Sequence, residues 1–243
     1  ATLNYLTDDP WNPAHYASWF MKTLSHYDFV FSTRRANLAD LKALGCRAVT
    51  YLPFAYDPTI HFTEAPPGGS DYDCDVLFVG GADQDRIPYC RAIVQAGLQM
   101  SLYGDYWDRY AEVRCSFRGY ADVRRLRQAT AAARICLCLT RRANRDGHVM
   151  RTFETAAMGG CMLTEDTAEH RALFGPEGEA VVYFRSIPEM VDRARWLLQN
   201  ESERKRLAAA AHAGITRGHN TYGDRLQTML ETAGLKQPAL VQR

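Results

Sequence analysis

A polar loop and the helix predicted after it hold the residues best suited to bind a phosphorylated ligand. Residues 141–160 read RRANRDGHVMRTFETAAMGG, an arginine-rich loop that leads into a short helical stretch and ends in a glycine pair. Arg151 and Glu154 are three positions apart, so on a helix they share one face. A guanidinium near a helix N-terminus suits a diphosphate, and a carboxylate one turn later suits a pair of ribose hydroxyls. The alternative is an ion pair between these two side chains on a solvated helix face.

A glycine pair offers a second place where an anion can bind. Residues 76–86 read VLFVGGADQDR, an apolar strand that runs into Gly80 and Gly81 and then into a helix. Glycines allow backbone N–H groups to approach a ligand closely, and the N-terminus of the following helix favours an anion. Arg86 can add a bidentate contact to phosphate. The alternative is a purely structural turn, because the segment matches neither GxGxxG nor the Walker motif.

Short apolar runs alternate with helix-period stretches along most of the chain, which is typical of parallel βα units. The pattern predicts an α/β fold with a doubly wound parallel sheet, whose ligands bind beyond the carboxyl ends of the strands. A strand is predicted to end at residues 5–7, and apolar runs predict further strands at 27–32, 47–52, 75–79, 99–103, 134–139, 161–164 and 180–184. Helical periodicity predicts helices at 14–24, 35–44, 87–96, 123–133, 150–158, 188–199, 202–217 and 222–233.

One stretch interrupts this alternation. Residues 53–72 are rich in Pro, Gly, Asp and Thr and lack periodicity, so we interpret 57–72 as a linker between two domains. Residues 1–56 are then a partial N-terminal domain and 73–220 a complete C-terminal domain, while 221–243 contain a helix that can pack back on the N-terminal part. Because the sequence starts without Met and close to a strand end, we expect an N-terminally trimmed chain.

The charge balance limits the classes of partner. The 243 residues carry a formal net charge of +1, and 25 of the 29 basic residues are arginine. A compositional bias explains most of these arginines, and a few can serve as planar forks for phosphate. The neutral balance disfavours nucleic acid. The sequence has neither an apolar run of 18 residues nor the pattern of a signal peptide, which predicts no transmembrane segment and a cytoplasmic protein.

Neither the cysteines nor the acidic residues indicate a bound metal. The seven cysteines form no CxxC pair, and we expect them to be reduced and mostly buried. Asp71-Tyr72-Asp73 has the spelling of a metal-binding DxD motif but lies in the predicted linker. The sequence therefore predicts neither a metal nor a cofactor.

Several spaced motifs resemble one enzyme family. Asp146, followed after seven residues by Glu154 and then by AAMGGC, resembles the acidic pair and helix of GT-B glycosyltransferases that use nucleotide sugars. More narrowly, residues 75–225 resemble the glycosyl transferases group 1 family related to spore-maturation proteins. The motifs that recur in order are a Phe-Val-Gly strand end, Leu102-Tyr103-Gly104, an Arg-x-Phe-Glu helix and a His-x-Thr-Tyr-x-x-Arg segment at 219–225.

The resemblance implies a GT-B-like fold with Rossmann-like domains and a donor site in the C-terminal one. In that family the position of Glu154 holds the ribose, and Arg151 lies near the diphosphate together with the Gly80-Gly81 turn. Asp146 matches an acidic position near the transferred sugar, which is Glu in related enzymes. The remaining donor-site residues that the resemblance implies are Tyr103 and Gly104 near the nucleotide, Arg86 as a basic phosphate ligand, and Thr152 and Phe153 in the Arg-x-Phe-Glu motif.

Further candidates belong to the predicted acceptor side and to the loop. Asp8 or Asp9 follows a strand end and can act as general base on an acceptor hydroxyl, although Asp9 can equally cap the turn before Pro10. Trp11 and Tyr16 can stack on a sugar or belong to the core. His148 can stabilise charge on the leaving diphosphate, or it is an incidental loop histidine. His170 follows the next strand, where a loop on the donor side would pass, and Arg141 and Arg145 are further candidate phosphate ligands.

Together these observations predict a glycosyltransferase of the hexosyltransferase type. It would move a sugar from a nucleoside-diphosphate sugar, such as one of UDP, to an acceptor hydroxyl without a metal. The acceptor can be a glycan, a lipid-linked molecule or a protein. Two alternatives stay open: a nucleotide-sugar epimerase of the same architecture, and a catalytically silent module that binds a nucleotide sugar.

Overall fold

The computed structural model describes residues 1–66 and 72–235, and their contacts divide the chain into two compact units. The first unit consists of Ala1–Ala55, Arg141–Gly147 and the residues from His219 onward. The second unit consists of Tyr56–Thr140 and His148–Gly218. The predicted linker 57–72 falls in the second unit where it is described, and its residues 67–71, with Asp71 of the DxD spelling, lie outside the described residues. The predicted domain boundaries themselves stay a prediction.

The first unit contains a parallel sheet in the order β1-β2-β3. Its strands are β1 (Leu3–Leu6), β2 (Phe29–Ser32) and β3 (Val49–Tyr51), and the connecting helices are α1 (Ser18–Leu24) and α2 (Leu38–Ala43). The register pairs Leu3 with Phe29 and Val30 with Val49. Buried apolar side chains from both layers form its core, namely Leu6, Met21, Leu24, Val30, Leu41 and Cys46.

The second unit contains a five-stranded parallel sheet in the order β5-β4-β6-β7-β8. Its strands are β4 (Cys74–Val79), β5 (Met100–Tyr103), β6 (Ala133–Cys138), β7 (Met162–Glu165) and β8 (Val182–Phe184). The helices are α3 (Ile87–Gln95), α4 (Val123–Ala132), α5 (Met150–Ala157), α6 (Ala168–Phe174), α7 (Ile187–Gln199) and α8 (Glu201–Arg217). Helix α3 packs beside α7 and helix α5 beside α8. The predicted α/β class is confirmed.

The strand order determines where a ligand can enter this sheet. Strand β4 lies between β5 and β6, so the chain leaves β4 toward one edge and later returns on its other side. Such a reversal opens a crevice beyond the carboxyl ends of the two central strands, at the topological switch point. In the second unit that point lies beyond Val79 of β4 and Cys138 of β6.

The last helix, α9 (Tyr222–Thr232), belongs to the first unit. Thr221 and Asp224 form a reciprocal cap at its start, which explains why the helix begins directly after the break at 219–221. The Arg225 guanidinium donates to the carbonyl oxygens of Pro53 (2.9 Å) and Phe54 (3.0 Å). These bonds fasten α9 to the segment that follows β3.

Predicted and observed elements differ most at helices α1 and α6. Helix α1 begins at Ser18 rather than at residue 14, because the Asn12 side chain accepts from the Ala14 N–H and holds the preceding residues in turns. Helix α6 has no counterpart among the predicted helices. It starts where the Thr167 hydroxyl accepts from the His170 N–H, and it is only seven residues long, too short to show a clear period.

Across residues 1–66 and 72–235, none of the helices combines the length and the apolar character that crossing a membrane requires.

Candidate functional site

The first turn of α5 lies at the switch point of the second unit. The Arg151 Nε donates to the carbonyl oxygen of Val79, the last residue of β4, across 3.4 Å. Arg151 thereby spans from the helix that follows β6 to the strand on the other side of the crevice. The predicted cation and the predicted glycine turn are therefore brought together, since Gly80 and Gly81 come directly after Val79.

Neighbouring backbone holds the glycine turn in place. The Gly80 N–H donates to the Tyr103 carbonyl oxygen (2.8 Å), and the Trp107 indole N–H donates to the Gly80 carbonyl oxygen (2.8 Å). Gly104 has φ +126°, and a Cβ there would overlap the Gly80 carbonyl oxygen. Gly104 is therefore required as glycine by the close approach of the two strand ends. Trp107 was not recognised from the sequence, although it follows the Leu-Tyr-Gly motif by three residues.

Gly81 differs from Gly104, because nothing in the described part of the chain requires a glycine there. Its φ lies outside the left-handed region, and an added Cβ would only touch the Asp105 carbonyl oxygen at 3.8 Å, an ordinary contact. The absence of a side chain at Gly81 instead leaves the backbone open to a close approach from outside the chain.

Arg86 lies beside the same turn, as predicted, and is buried. Its Nη1 donates to the Gly81 carbonyl oxygen (3.1 Å) and lies 3.4 Å from an Asp83 carboxylate oxygen. Its guanidinium also lies over the Phe78 ring, 5.5 Å from the centroid. These contacts make Arg86 a support of the glycine turn as well as a cation next to it.

Glu154 lies one turn after Arg151 and pairs with it through Arg151 Nη1 and Glu154 Oε2. The ion pair that was the alternative interpretation is thus present, but it is not on a solvated face. The Glu154 side chain is only 7% exposed, against 30% for Arg151. The other Glu154 oxygen, Oε1, lies 3.6 Å from His61 Nε2.

His61 was not recognised from the sequence as a functional residue. Its Nδ1 accepts from the Asp57 backbone N–H across 3.1 Å, so the ring proton of the neutral imidazole is on Nε2, which faces Glu154. Burial lowers the pKa of His61 below its ordinary value, which keeps the ring neutral. A lone histidine in an irregular stretch carries no periodicity or motif, so no sequence signal identifies it.

Hydrogen bonds of Thr152 and His170 hold the first turn of α5 in place. The Thr152 hydroxyl accepts from the Val149 N–H (3.2 Å) and lies 3.1 Å from His170 Nε2. His170 Nδ1 lies 2.8 Å from the Glu165 carbonyl oxygen, which can only accept, so Nδ1 carries the proton and Nε2 accepts from Thr152. Burial lowers the pKa of His170 to about 4. Both side chains are fully buried and support the helix, and a contact of Thr152 with a ligand stays a prediction.

Three more predicted site residues have side chains that pack in the interior. Tyr103 belongs to a buried cluster with Cys74, Leu77, Ala129 and Cys136. Phe153 is completely buried, and the His148 ring, itself buried, meets it edge-on with 5.6 Å between ring centroids. The structure thus assigns Tyr103 and Phe153 a packing role, and any contact of theirs with a nucleotide stays a prediction.

Asp146 lies in the first unit, within a buried ion pair. Arg34 Nε donates to Asp146 Oδ1 (2.6 Å), and the Arg141 N–H donates to Oδ2 (3.3 Å). Arg34 also donates to the Thr7 carbonyl oxygen (2.7 Å) at the end of β1. Burial raises the pKa of Asp146, and the Arg34 charge opposes that rise. The carboxylate is therefore held in one orientation by donors on both of its oxygens.

Asp9 is held by a guanidinium in the same unit. Arg145 Nε donates to Asp9 Oδ2 (2.5 Å) and Arg145 Nη2 to Asp9 Oδ1 (3.1 Å), while Arg145 Nη1 donates to Asp40 (2.6 Å). The Trp11 N–H also donates to Asp9 Oδ1 (3.3 Å), so Asp9 does cap the turn before Pro10. Arg145 has the unusual φ of +51° and lies over the Trp11 ring. Trp11 is half-buried in this cluster, whereas Tyr16 is exposed.

Within the two described ranges, no group of three or more His, Cys, Asp or Glu side chains is placed to hold a metal ion. Metal independence of a reaction stays a prediction.

Several solved structures have a fold similar to that of this chain. No curated protein sequence matches the chain. Among solved structures, sucrose-phosphate synthase from Thermosynechococcus elongatus is 14% identical with a TM-score of 0.70. The alignment covers 96% of this chain and 67% of the synthase chain. HepE of Anabaena, solved with UDP-glucose, is 12% identical with a TM-score of 0.69, and the alignment covers 96% of this chain and 71% of HepE. A TarM mutant of S. aureus, solved with UDP, is 9% identical with a TM-score of 0.63, and the alignment covers 94% of this chain and 50% of TarM.

These likenesses confirm the GT-B-like fold with Rossmann-like sheets that the sequence predicted. The chain spans between about half and about two thirds of the length of these structures. The glycosyl transferase-like family matches residues 86–231, more than half of the chain, in a segment that includes α5 and its Arg-x-Phe-Glu motif. The chain belongs to this glycosyl transferase-like family.

Proposed function

We propose that the second unit binds a nucleoside-diphosphate sugar as donor, and that the protein transfers the sugar to an acceptor hydroxyl. One observation carries the proposal. The bond from Arg151 to the Val79 carbonyl oxygen places a cation and the buried Glu154 carboxylate beside the Gly80-Gly81 turn, at the switch point of the sheet. A crevice of this kind is where open α/β sheets bind nucleotides.

Each part of the donor then has a partner in the second unit. The diphosphate lies against Arg151 and the open backbone at Gly81, near the N-terminus of α5. Glu154 receives the ribose hydroxyls. An ionised carboxylate has about four lone-pair sites. The bond from Arg151 uses one on Oε2, and His61 Nε2 lies 3.6 Å from Oε1, so at least one lone pair remains on each oxygen for a hydroxyl.

The proposed reaction needs stabilisation of the leaving group, and the proposal assigns this to side chains and backbone of the protein rather than to a metal. The acceptor oxygen forms a bond to the anomeric carbon, the bond from that carbon to the phosphate oxygen breaks, and the electron pair stays on the diphosphate. Arg151, Arg86 and helix-terminal N–H groups offset that charge. The acceptor proton passes to a base, for which Asp146, His148 and Asp9 are the candidates. Both Asp9 oxygens accept from Arg145, and the two Asp146 oxygens accept from Arg34 and from the Arg141 N–H, so a positioning role is better supported for both carboxylates than proton transfer.

UDP is the first nucleotide to test, because HepE and TarM were both solved with it. The sugar is proposed to be a hexose. The acceptor is proposed to be a glycan, a lipid-linked molecule or a protein, none of which the residues of the site distinguish.

Calorimetry tests the donor site directly. We expect the wild-type protein to bind at least one of UDP, GDP, ADP and dTDP. Hydrogen bonds to a charged group contribute about 1.5–3 kcal/mol, so Glu154→Ala should weaken binding by about tenfold or more. Glu201→Gln, an exposed glutamate on α8 of the same unit, serves as control and should bind as wild type does. Absence of binding to all four nucleotides, or unchanged affinity in Glu154→Ala, would show that the assignment is wrong.

Product analysis separates transfer from the two alternatives. The protein is incubated with the sugar nucleotide of the base that binds, first alone and then with acceptors. Transfer predicts release of the nucleoside diphosphate that depends on acceptor. Conversion of the sugar without acceptor indicates the epimerase instead, and binding without turnover under both conditions indicates the silent module.

A further inference from the structure

We propose that His61 is a positioning residue for ribose recognition, which holds the Glu154 carboxylate so that its free lone pairs face the two hydroxyls. The inference rests on the proposed function, because it concerns the same donor site. It adds a residue from the irregular stretch after β3, outside the sheet, helix α5 and the matched family segment 86–231.

The tautomer of His61 is determined by its surroundings. The Asp57 N–H can only donate, so His61 Nδ1 must accept and the single proton of the neutral ring lies on Nε2. That Nε2–H faces Glu154 Oε1 at 3.6 Å, while Arg151 engages Oε2. The carboxylate is therefore bonded to Arg151 of its own helix through Oε2, and at Oε1 it is faced by an N–H of a separate segment, with 3.6 Å between Nε2 and Oε1.

The turn from Asp57 to His61 is closed by hydrogen bonds and positions the His61 ring. The Asp57 carbonyl oxygen accepts from the His61 N–H (2.7 Å), and the Asp57 carboxylate accepts from the backbone and the hydroxyl of Thr59 (2.8 and 2.7 Å). Helix α4 fastens this turn, because Arg127 donates to the Ile60 carbonyl oxygen (3.0 Å). The position of the His61 ring is thus fixed by bonds that do not involve Glu154.

Fixing the carboxylate in advance favours binding. A glutamate side chain has three rotatable bonds, and ordering them on ligand binding costs free energy that a preorganised site avoids. The groups that face His61 are Glu154, Arg151 and Asp57, and burial keeps the ring neutral among them. A neutral donor orients Glu154 without bringing a second full positive charge to the carboxylate.

Two isosteric substitutions separate this role from a purely structural one. In His61→Gln the amide nitrogen reaches about as far as Nε2 and can still donate to Glu154, while the acceptor for the Asp57 N–H is lost. In His61→Asn the amide oxygen replaces Nδ1 as that acceptor, while the donor to Glu154 is lost. The turn is thus retained in one variant and the contact with Glu154 in the other.

The measurement is the ratio of the dissociation constants of the 2′-deoxy nucleotide and the ribonucleotide, dUDP against UDP or the corresponding pair for the base that binds. In wild type we expect a ratio of about ten or more, the loss of one hydrogen bond to a charged group. His61→Gln should keep most of this ratio, whereas His61→Asn should reduce it to about that of Glu154→Gln. Because each ratio is measured within one folded variant, a general loss of stability does not change it.

The outcomes distinguish this proposal from the proposed function. If wild type binds with a high ratio and Glu154→Gln lowers it, the donor site stands. The role of His61 alone is then overturned by either of two results. One is that His61→Asn leaves the ratio of dissociation constants unchanged. The other is that the ratio is lost in His61→Gln but kept in His61→Asn. No nucleotide binding, or a wild-type ratio near one, overturns the ribose assignment of Glu154 and this inference with it.

Discussion

The buried His170 should make the stability of the protein depend on pH in a defined direction. Its ring is fully buried between β7 and α5, donates through Nδ1 to the Glu165 carbonyl oxygen and accepts at Nε2 from Thr152. Protonation would place a donor at Nε2 and a charge in the interior. Burial accordingly lowers the pKa of His170 to about 4. The perturbation we consider is a change of pH from 7 to 5, in wild type and in His170→Asn.

The sign and size follow from the two pKa values. In the unfolded chain His170 has the ordinary histidine pKa of about 6.5. Below that pH the unfolded state binds a proton that the folded state rejects, so the stabilisation present above about pH 6.5 is lost progressively down to about pH 4. Between pH 7 and pH 5 the free energy of unfolding should fall by about 2 kcal/mol through this residue alone.

Urea denaturation followed by circular dichroism at both pH values measures this loss. His170→Asn should be less stable than wild type at pH 7, because it loses packing and the bond from Thr152, but it lacks the titrating ring. Wild type should therefore lose about 2 kcal/mol more than the variant on acidification, since the other titrating groups are common to both proteins. Equal losses in the two proteins would refute the reasoning, and so would a His170 ring that titrates near pH 6.5 by NMR in the folded protein.

Two further predictions concern stability. Gly104→Ala should destabilise the protein by about 2 kcal/mol or more, because it combines the strain of a positive φ with a clash against the Gly80 carbonyl oxygen. The control is Gly97→Ala, which has φ +77° and open space around the Cβ and should therefore lose only the stability that the strain costs. Equal losses of stability in the two variants, measured by urea denaturation, would contradict the clash. Arg145→Ala should cost about 2 kcal/mol through its bonds to the buried Asp9 carboxylate. In a double-mutant cycle with Asp9→Asn the two losses should be strongly non-additive, and additive losses would argue against the pairing.

Much of the fold could be predicted because local signals coincide with it. The strands of the second unit are continuous apolar runs next to turn residues, as expected for strands buried on both faces. Helix α4 starts at Val123, where the Asp122 side chain accepts from the Arg125 N–H, and α5 starts at Met150, as the periodicity indicates. The helical spacing of Arg151 and Glu154 also placed both residues on one face correctly.

The parts that could not be predicted depend on contacts between distant segments. The sequence does not show that the Asp57 backbone N–H fixes the tautomer of His61, or that His61 faces a residue 93 positions further along. It also does not distinguish the face of α5 that carries Glu154 from the face where Thr152 bonds to His170. Such pairings are set by the sheet order, which local composition does not encode.

The polar loop 141–147 shows why residue type alone overestimates a site. Its arginines and acids suggested a ligand, yet the loop finds partners within the first unit: Arg145 bonds to Asp9 and Asp40, Asn144 to Asp8 and Asn12, and Asp146 to Arg34. Arg145 is therefore a weaker candidate for the diphosphate than Arg151, whose contacts lead to the glycine turn and to Glu154. A guanidinium already bonded to two carboxylates would have to give up both to bind a phosphate, whereas Arg151 stands beside the open backbone at Gly81. Charge reversal at Arg151 should accordingly abolish nucleotide binding, and the same change at Arg145 should first unfold the loop.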